Sequence, residues 1–330
     1  MIAVSCVSCG KSMTLSEGGR RAECPECRQS LPLKRRALHE LPTRVDCGMP
    51  DSSLTAFLAP PRAPGELGWL GGYRILEIVG SGGMGVVFRA VDTDLDREIA
   101  LKAMLPGLAT HATARLRFVR EAKAAAALQH DRIVAVYRVG EDRGVPFLAM
   151  PFLRGQSLED RLKDGPLPLE EVRRVGAEIA EGLAAIHERG LVHRDIKPGN
   201  VWLEGPAARV KILDFGLARA GGDATLTREG GIVGSPAFMS PEQALRRPVD
   251  SRADLFALGV VLYLMATGQP PFLGDDALST LLAITSAEPA PPSSLRADLP
   301  PDLEGMILVL LAKNPEDRPA SAADVWRRLG

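Results

Sequence analysis

The sequence predicts an α+β chain with a small cysteine-bearing module in front of it, and three observations carry that reading. From Tyr73 to Leu101 the chain is rich in strand formers, with Tyr73-Arg-Ile-Leu-Glu-Ile-Val79 and Val86-Val87-Phe88 on either side of a glycine cluster. Further on, Arg115 to Gln129, Val172 to Arg189, Val249 to Thr267 and Leu303 to Ala312 have the length and apolar spacing of helices, with a loop expected from Pro289 to Pro301. Four of the five cysteines fall within the first 27 residues, as two pairs.

Composition bounds the function. The chain has 330 residues, 40 Lys plus Arg against 41 Asp plus Glu, and 45% hydrophobic residues, an ordinary globular balance. A net charge of -1 removes any wholesale electrostatic reason for nucleic acid or an anionic membrane as the main partner. Arg20-Arg21 and Lys34-Arg35-Arg36 are local basic clusters that solvated tether charges explain better than a nucleic-acid contact does. The longest apolar run, Leu255 to Ala266, is 12 residues long, short of the roughly 20 that a membrane-spanning helix needs. Met1 to Cys9 lacks the basic start and long apolar centre of a secretory signal, so a cytoplasmic protein with reduced or metal-bound thiols and no membrane insertion is expected.

Cys6-x-x-Cys9 and Cys24-x-x-Cys27 are separated by 14 residues, the spacing of a structural zinc site. Each pair offers two thiolates from one turn, and together they make the closed tetrahedral set that Zn²⁺ prefers. A segment of this size buries too little apolar surface to fold alone, and bound metal supplies what is missing. No thioredoxin-like βαβ pattern surrounds either pair, which argues against a redox dithiol. Residues 1–33 resemble zinc-ribbon or rubredoxin-like knuckles. Cys47 has no partner pair, and residues 34–72, with Pro42, Pro50 and Ala59-Pro60-Pro61-Arg62-Ala63-Pro64, are expected to form a flexible, irregular linker of low burial.

The glycine cluster reads Gly80-Ser81-Gly82-Gly83-Met84-Gly85. Glycines let a backbone approach phosphates closely. A dinucleotide fingerprint would run from its glycines into a helix, whereas Val86-Val87-Phe88 continues as strand. No G-x-x-x-x-G-K-[ST] run occurs either.

Beyond this cluster come Ile99-Ala100-Leu101-Lys102, Glu121 within a helical stretch, His193-Arg194-Asp195-Ile196-Lys197-Pro198-Gly199-Asn200, Asp214-Phe215-Gly216 and Ser240-Pro241-Glu242. In this order the set resembles the eukaryotic-type Ser/Thr protein kinases, over Tyr73 to the C-terminus. Gly80-Ser-Gly-Gly-Met-Gly-Val-Val-Phe88 and Met239-Ser-Pro-Glu-Gln243 look most like bacterial members.

The resemblance implies a two-lobed fold: an antiparallel sheet with one main helix over residues 73–153, then a mostly helical lobe over 154–330, with ATP in the cleft. It implies ATP contacts from Gly80, Ser81, Gly82, Gly83, Met84, Gly85, Val87, Ala100, Lys102, Met150 and Leu153. Lys102 would hold phosphates and be fixed by an ion pair to Glu121. Asn200 and Asp214 would hold Mg²⁺ or Mn²⁺. Asp195 would accept the substrate's hydroxyl proton, and Lys197 would neutralise charge on the transferred group. Lys197 resembles the lysine of Ser/Thr rather than Tyr kinases, so the implied partners are proteins with Ser or Thr acceptors, with self-association for autophosphorylation. The presence of Lys102, Asp195, Asn200 and Asp214 argues against a non-catalytic scaffold.

Where the family usually has an acidic residue after Met150, this chain has Pro151-Phe152-Leu153. The lost N–H is tolerable there, because the resemblance requires only a carbonyl at Pro151 and places the N–H contact at Leu153. Arg194 implies a phosphorylated partner in the segment from Asp214 to Glu242, where Thr227 and then Thr225 are the candidate phosphoacceptors and Ser235 the hydroxyl near Asp195 and Lys197. Asp254 matches a buried anchor of the catalytic loop, and Arg318 a partner for Glu242. The last expected helix ends near Gly330, so no sensor domain is expected after it, and any input is expected to come through the cysteine module or a partner.

Overall fold

The computed structural model describes residues 51–82, 85–214 and 236–330, together with the strand backbones 2–5, 12–15, 21–23 and 30–32. The chain divides into two compact units, Met1–Leu41 and Pro42–Gly330. In the first, β1 (Ile2–Ser5) pairs antiparallel with β2 (Ser12–Leu15), and β3 (Arg21–Glu23) with β4 (Ser30–Pro32).

The second unit opens with α1 (Asp51–Thr55) and then builds a sheet from β5 (Gly68–Leu70), β6 (Tyr73–Gly82), β7 (Gly85–Asp92) and β8 (Arg97–Met104). A short α2 (Pro106–Ala109) leads to α3 (Ala112–Ala126), and β9 (Arg138–Asp142) and β10 (Val145–Pro151) complete the sheet. The strand order is β5-β6-β7-β8-β10-β9, all pairs antiparallel. Period-two alternation splits its side chains between two cores. Ile75, Phe88, Ile99, Leu101 and Phe147 face one side. Ala100, Met104, Leu148 and Met150 face the other, where Phe118 and Ala122 of α3 pack.

The helical portion contains β11 (Gly155–Ser157), α4 (Leu158–Leu162), α5 (Leu169–Glu188), β12 (Val201–Glu204), β13 (Arg209–Ile212), α6 (Pro241–Ala244), α7 (Arg252–Thr267), α8 (Ala277–Ser286), α9 (Pro301–Leu310) and α10 (Ala322–Leu329). Every residue of α7 from Ala253 to Ala266 is buried; α5 and α9 pack against it, and α10 packs on α5. The long apolar run in the sequence is therefore a core helix, and among the described residues no helix is long and apolar enough to cross a membrane. The two portions are stitched by backbone: Ile212 N–H donates to Arg132 O at 2.7 Å and Val134 N–H to Ile212 O at 3.0 Å.

The expected linker is different in its described part. Residues 51–72 carry α1 and β5, and Leu54 and Leu70 are buried in the sheet's core. Burial of these apolar side chains outweighs the extended bias of the intervening prolines.

Candidate active site

The loop between α5 and β12 takes its shape from a buried carboxylate. Asp254, in the first turn of α7 and 1% exposed, accepts the His193 N–H at 2.8 Å on Oδ2 and the Arg194 N–H at 2.7 Å on Oδ1. His187 Nε2 lies 2.8 Å from the same Oδ2. Gln243 Nε2 donates to Arg194 O at 3.0 Å from within the capping box that Ser240 begins at the start of α6. Held from both sides, Arg194 sits at φ +68°, a conformation that a non-glycine residue keeps only when its surroundings dictate it. Arg194 Nε is buried and has no hydrogen-bond partner among the described residues.

This loop aims Asp195. Lys197 Nζ donates to Asp195 Oδ2 at 2.8 Å, and Asn200 Nδ2 donates to the same oxygen at 2.9 Å and to Asp195 O at 2.8 Å. Leu213 N–H donates to Asn200 O at 2.8 Å, which brings the end of β13 alongside. Asp214 follows at φ +44°, and its Oδ1 pairs with Lys102 Nζ at 2.7 Å. The cluster of Asp195, Lys197 and Asn200 is thus joined, through the backbone of Leu213, to the Asp214–Lys102 pair that reaches the sheet.

The apolar wall comes from the sheet. Ala100, Val134 and Met150 are buried together, with Val87, Phe152, Leu153 and Leu213 packed against them. Four of the expected nucleotide contacts, Val87, Ala100, Met150 and Leu153, therefore share one cluster. Behind it a cavity of about 30 Å³ is lined by Lys102, Phe118, Val134, Met150 and Asp214. Gly80, Ser81 and Gly82 end β6, and Gly82 lies opposite Gly85. A Cβ on Gly85 would stand 2.3 Å from Ala103 O, so β7 closes on β8 there only with glycine. Gly83 and Met84 lie outside the described residues, as do Thr225, Thr227, Ser235 and the cysteines Cys6, Cys9, Cys24 and Cys27. Glu121 is on α3, and its side chain is likewise outside what is described.

Sequence reasoning missed three residues here. His187 lies in the last turn of α5, where a solvated residue would also fit, so nothing local marks it. Gln243 carried a signal, since Ser240-x-x-Gln243 is a capping-box pattern, but its bond to Arg194 O is a tertiary event. Trp202 stands opposite Ser157 and Lys211 in the sheet of β11, β12 and β13, and its indole N–H is buried without a hydrogen-bond partner among the described residues.

A glycine-closed hairpin, a strand lysine paired to an aspartate, and a catalytic loop holding Asp, Lys and Asn together define the protein-kinase class of phosphotransferase folds. Residues 73–327 match the family model for the protein kinase domain, and the chain belongs to that family. It is 40% identical over 259 residues to the serine/threonine-protein kinase PknB of Mycobacterium leprae, covering 77% of this chain and 42% of that protein. With PknB of Mycolicibacterium smegmatis the identity is 39% over 260 residues, covering 77% and 41%. The chain thus spans about two fifths of the length of these relatives. The crystal structure of the Mycobacterium tuberculosis PknI kinase domain superposes with a TM-score of 0.65 at 29% identity, covering 82% of this chain and 98% of that one.

Proposed function

We propose that this chain is a Ser/Thr protein kinase that transfers the γ-phosphoryl group of ATP to Ser or Thr hydroxyls of proteins, its own activation segment included, in bacterial signalling. The observation that carries this is the convergence of Lys197 and Asn200 on one oxygen of Asp195. Fixed in this way, the Asp195 carboxylate orients an acceptor hydroxyl and takes its proton as the hydroxyl oxygen bonds to phosphorus and the bond to the ADP oxygen breaks. Lys197 neutralises charge developing on the group in transit. Lys102, released from Asp214 onto the nucleotide, holds phosphate oxygens, and Val87, Ala100, Met150 and Leu153 enclose the base.

Asn200 and Asp214 are the residues that would hold Mg²⁺ or Mn²⁺, and they fit it. Asn200 commits its amide nitrogen to Asp195, so its oxygen is left to face a cation, and Asp214 adds a carboxylate. Both are the hard oxygen donors such ions take, the remaining ligands being phosphates and water. Among the described residues no group of three His, Cys, Asp or Glu side chains is placed to hold a metal. When bound, the cation neutralises the nucleotide's negative charge. Arg194 is the partner for a phosphorylated Thr227 or Thr225, which its buried Nε favours. The same reading includes self-association, through which one copy would phosphorylate another, and the need for ATP supports a cytoplasmic place of action. The catalytic domain then runs from residue 73 to 330, its lobes meeting after Leu153.

Zinc at Cys6, Cys9, Cys24 and Cys27 belongs to the same reading. Its support is the ligand spacing and the matching connections: residues 6–11 and 24–29 each join two antiparallel strands and each begin with a Cys-x-x-Cys. One zinc per chain by elemental analysis, lost in Cys24→Ser/Cys27→Ser, is the expected result, and a zinc-free folded chain would refute it.

The test of the kinase reading is intact mass after Mg-ATP treatment of phosphatase-treated protein, wild type beside Asp195→Asn, with a general protein acceptor present. Added phosphoryl groups in wild type and none in the variant are expected, with peptide mapping to Thr227. No transfer to either chain or acceptor by the wild type would overturn it.

A further inference from the structure

The sheet face turned away from the nucleotide cluster is as buried as any part of the molecule. Ile75, Phe88, Ile99 and Leu101 have 0% exposure. Their cover comes from residues 51–70, which precede the start of the family match at residue 73. Leu54 of α1 and Leu70 of β5 are buried in this core, Phe57 and Leu58 pack against it, and the Phe57 and Phe88 rings lie 6.2 Å apart.

Polar contacts close the segment on itself and fasten it to the sheet. Ala59 and Trp69 exchange both backbone hydrogen bonds, at 2.8 and 3.0 Å. Glu66 Oε2 accepts from Arg62 N–H at 2.8 Å, Ala63 N–H at 3.2 Å and Trp69 Nε1–H at 3.0 Å, while the Arg62 guanidinium lies 4.1 Å over the Trp69 ring. Leu67 N–H donates to Ile75 O at 2.9 Å, Arg143 donates to Trp69 O at 3.1 Å, and Gly71 N–H donates to Asp142 at 2.9 Å.

Strand register connects this cover to the site. Phe88 adjoins Val87 and lies opposite Leu101, while Val87 lies opposite Lys102. Close-packed cores transmit displacement rather than absorb it. We propose that residues 51–70 form a strap that positions the nucleotide-binding strands, with Phe57 as its positioning residue, acting on Val87 and Lys102 through Phe88 and Leu101. The inference rests on the kinase reading and adds a determinant of nucleotide affinity outside the family's own span.

The experiment is nucleotide titration of the full chain with a fluorescent Mg-ADP analogue, well below the thermal transition, together with KM for ATP and kcat. Phe57→Ala is expected to weaken nucleotide binding and raise KM about five-fold or more with kcat within about two-fold, and Phe57→Leu to recover most of the loss. Ile307→Val, a buried substitution in α9, serves as a remote control and is expected to leave nucleotide binding unchanged. Glu66→Gln loosens the strap without opening the core and is expected to shift binding in the same direction by less, which keeps the test valid if Phe57→Ala does not fold. Wild-type affinity in a folded Phe57→Ala or Glu66→Gln chain, or a loss no greater than that of Ile307→Val, overturns the strap. Wild-type protein that binds the analogue but transfers no phosphate refutes the kinase reading and leaves the strap standing.

Discussion

Arg318 and Glu242 meet across 76 positions of sequence in a two-pronged pair, 2.8 Å at each prong, with both residues 4% exposed. Arg318 also donates to the carbonyls of Ala312, Arg252 and Lys313, so it cannot swing out to water if its partner is lost. Glu242→Gln is therefore expected to cost about 3–5 kcal/mol, because it strands a buried charge. Replacing both residues with apolar ones of similar volume is expected to cost less than the single change. Denaturant melts of the three chains check this order. The pair was legible beforehand, since Pro241-Glu242 and Asp317-Arg318-Pro319 sit in recognisable motifs. Trp202 was not, because a tryptophan in an apolar strand looks like core filling until its buried indole N–H is seen to lack a partner among the described residues.

Elements whose apolar residues form one long run or stripe were readable to within a few residues. Expected helices at Val172 to Arg189, Val249 to Thr267 and Leu303 to Ala312 appear as Leu169–Glu188, Arg252–Thr267 and Pro301–Leu310. The helix expected near Gly330 is α10, Ala322–Leu329. α8 has no counterpart among the expected helices, because it leaves Leu278 and Leu282 exposed and its apolar pattern has no single buried stripe. The strap was hidden by Ala59-Pro60-Pro61-Arg62-Ala63-Pro64, whose composition drew attention from Leu54, Phe57 and Leu58. The end of α7 is set by Gly268 at φ +73°, where an added Cβ would meet only ordinary contact with Pro166 at 3.4 Å. Backbone strain alone then governs Gly268→Ala, and a loss of about 1–2 kcal/mol is expected by thermal or chemical melting.

At the scale of the molecule, the two-lobed arrangement was legible because ordered motifs forced it, whereas charges placed by tertiary packing were not. Lys313 is one of these. Its Nζ donates to Ile284 O at 2.8 Å in the last turn of α8 and lies 3.6 Å over the Phe272 ring. Burial pushes the Lys313 amine down to about 8, the nearby Glu288 opposing this and Arg318 adding to it. Above that pH the folded chain has released a proton that the unfolded chain still holds, up to the ordinary lysine range, so stability rises with pH across this window. Melting temperatures taken from pH 7.5 to 10 are expected to climb in wild type relative to Lys313→Met, which lacks the titrating group.

Asp254 gives the catalytic loop an unusual timescale. The amide hydrogens of His193 and Arg194 belong to a stretch without regular secondary structure, yet both end on a carboxylate rooted in the most enclosed helix of the fold. In deuterated water these two loop amides exchange only when α7 itself comes apart, so they report the opening of the whole helical portion while neighbouring loops exchange through local fluctuations.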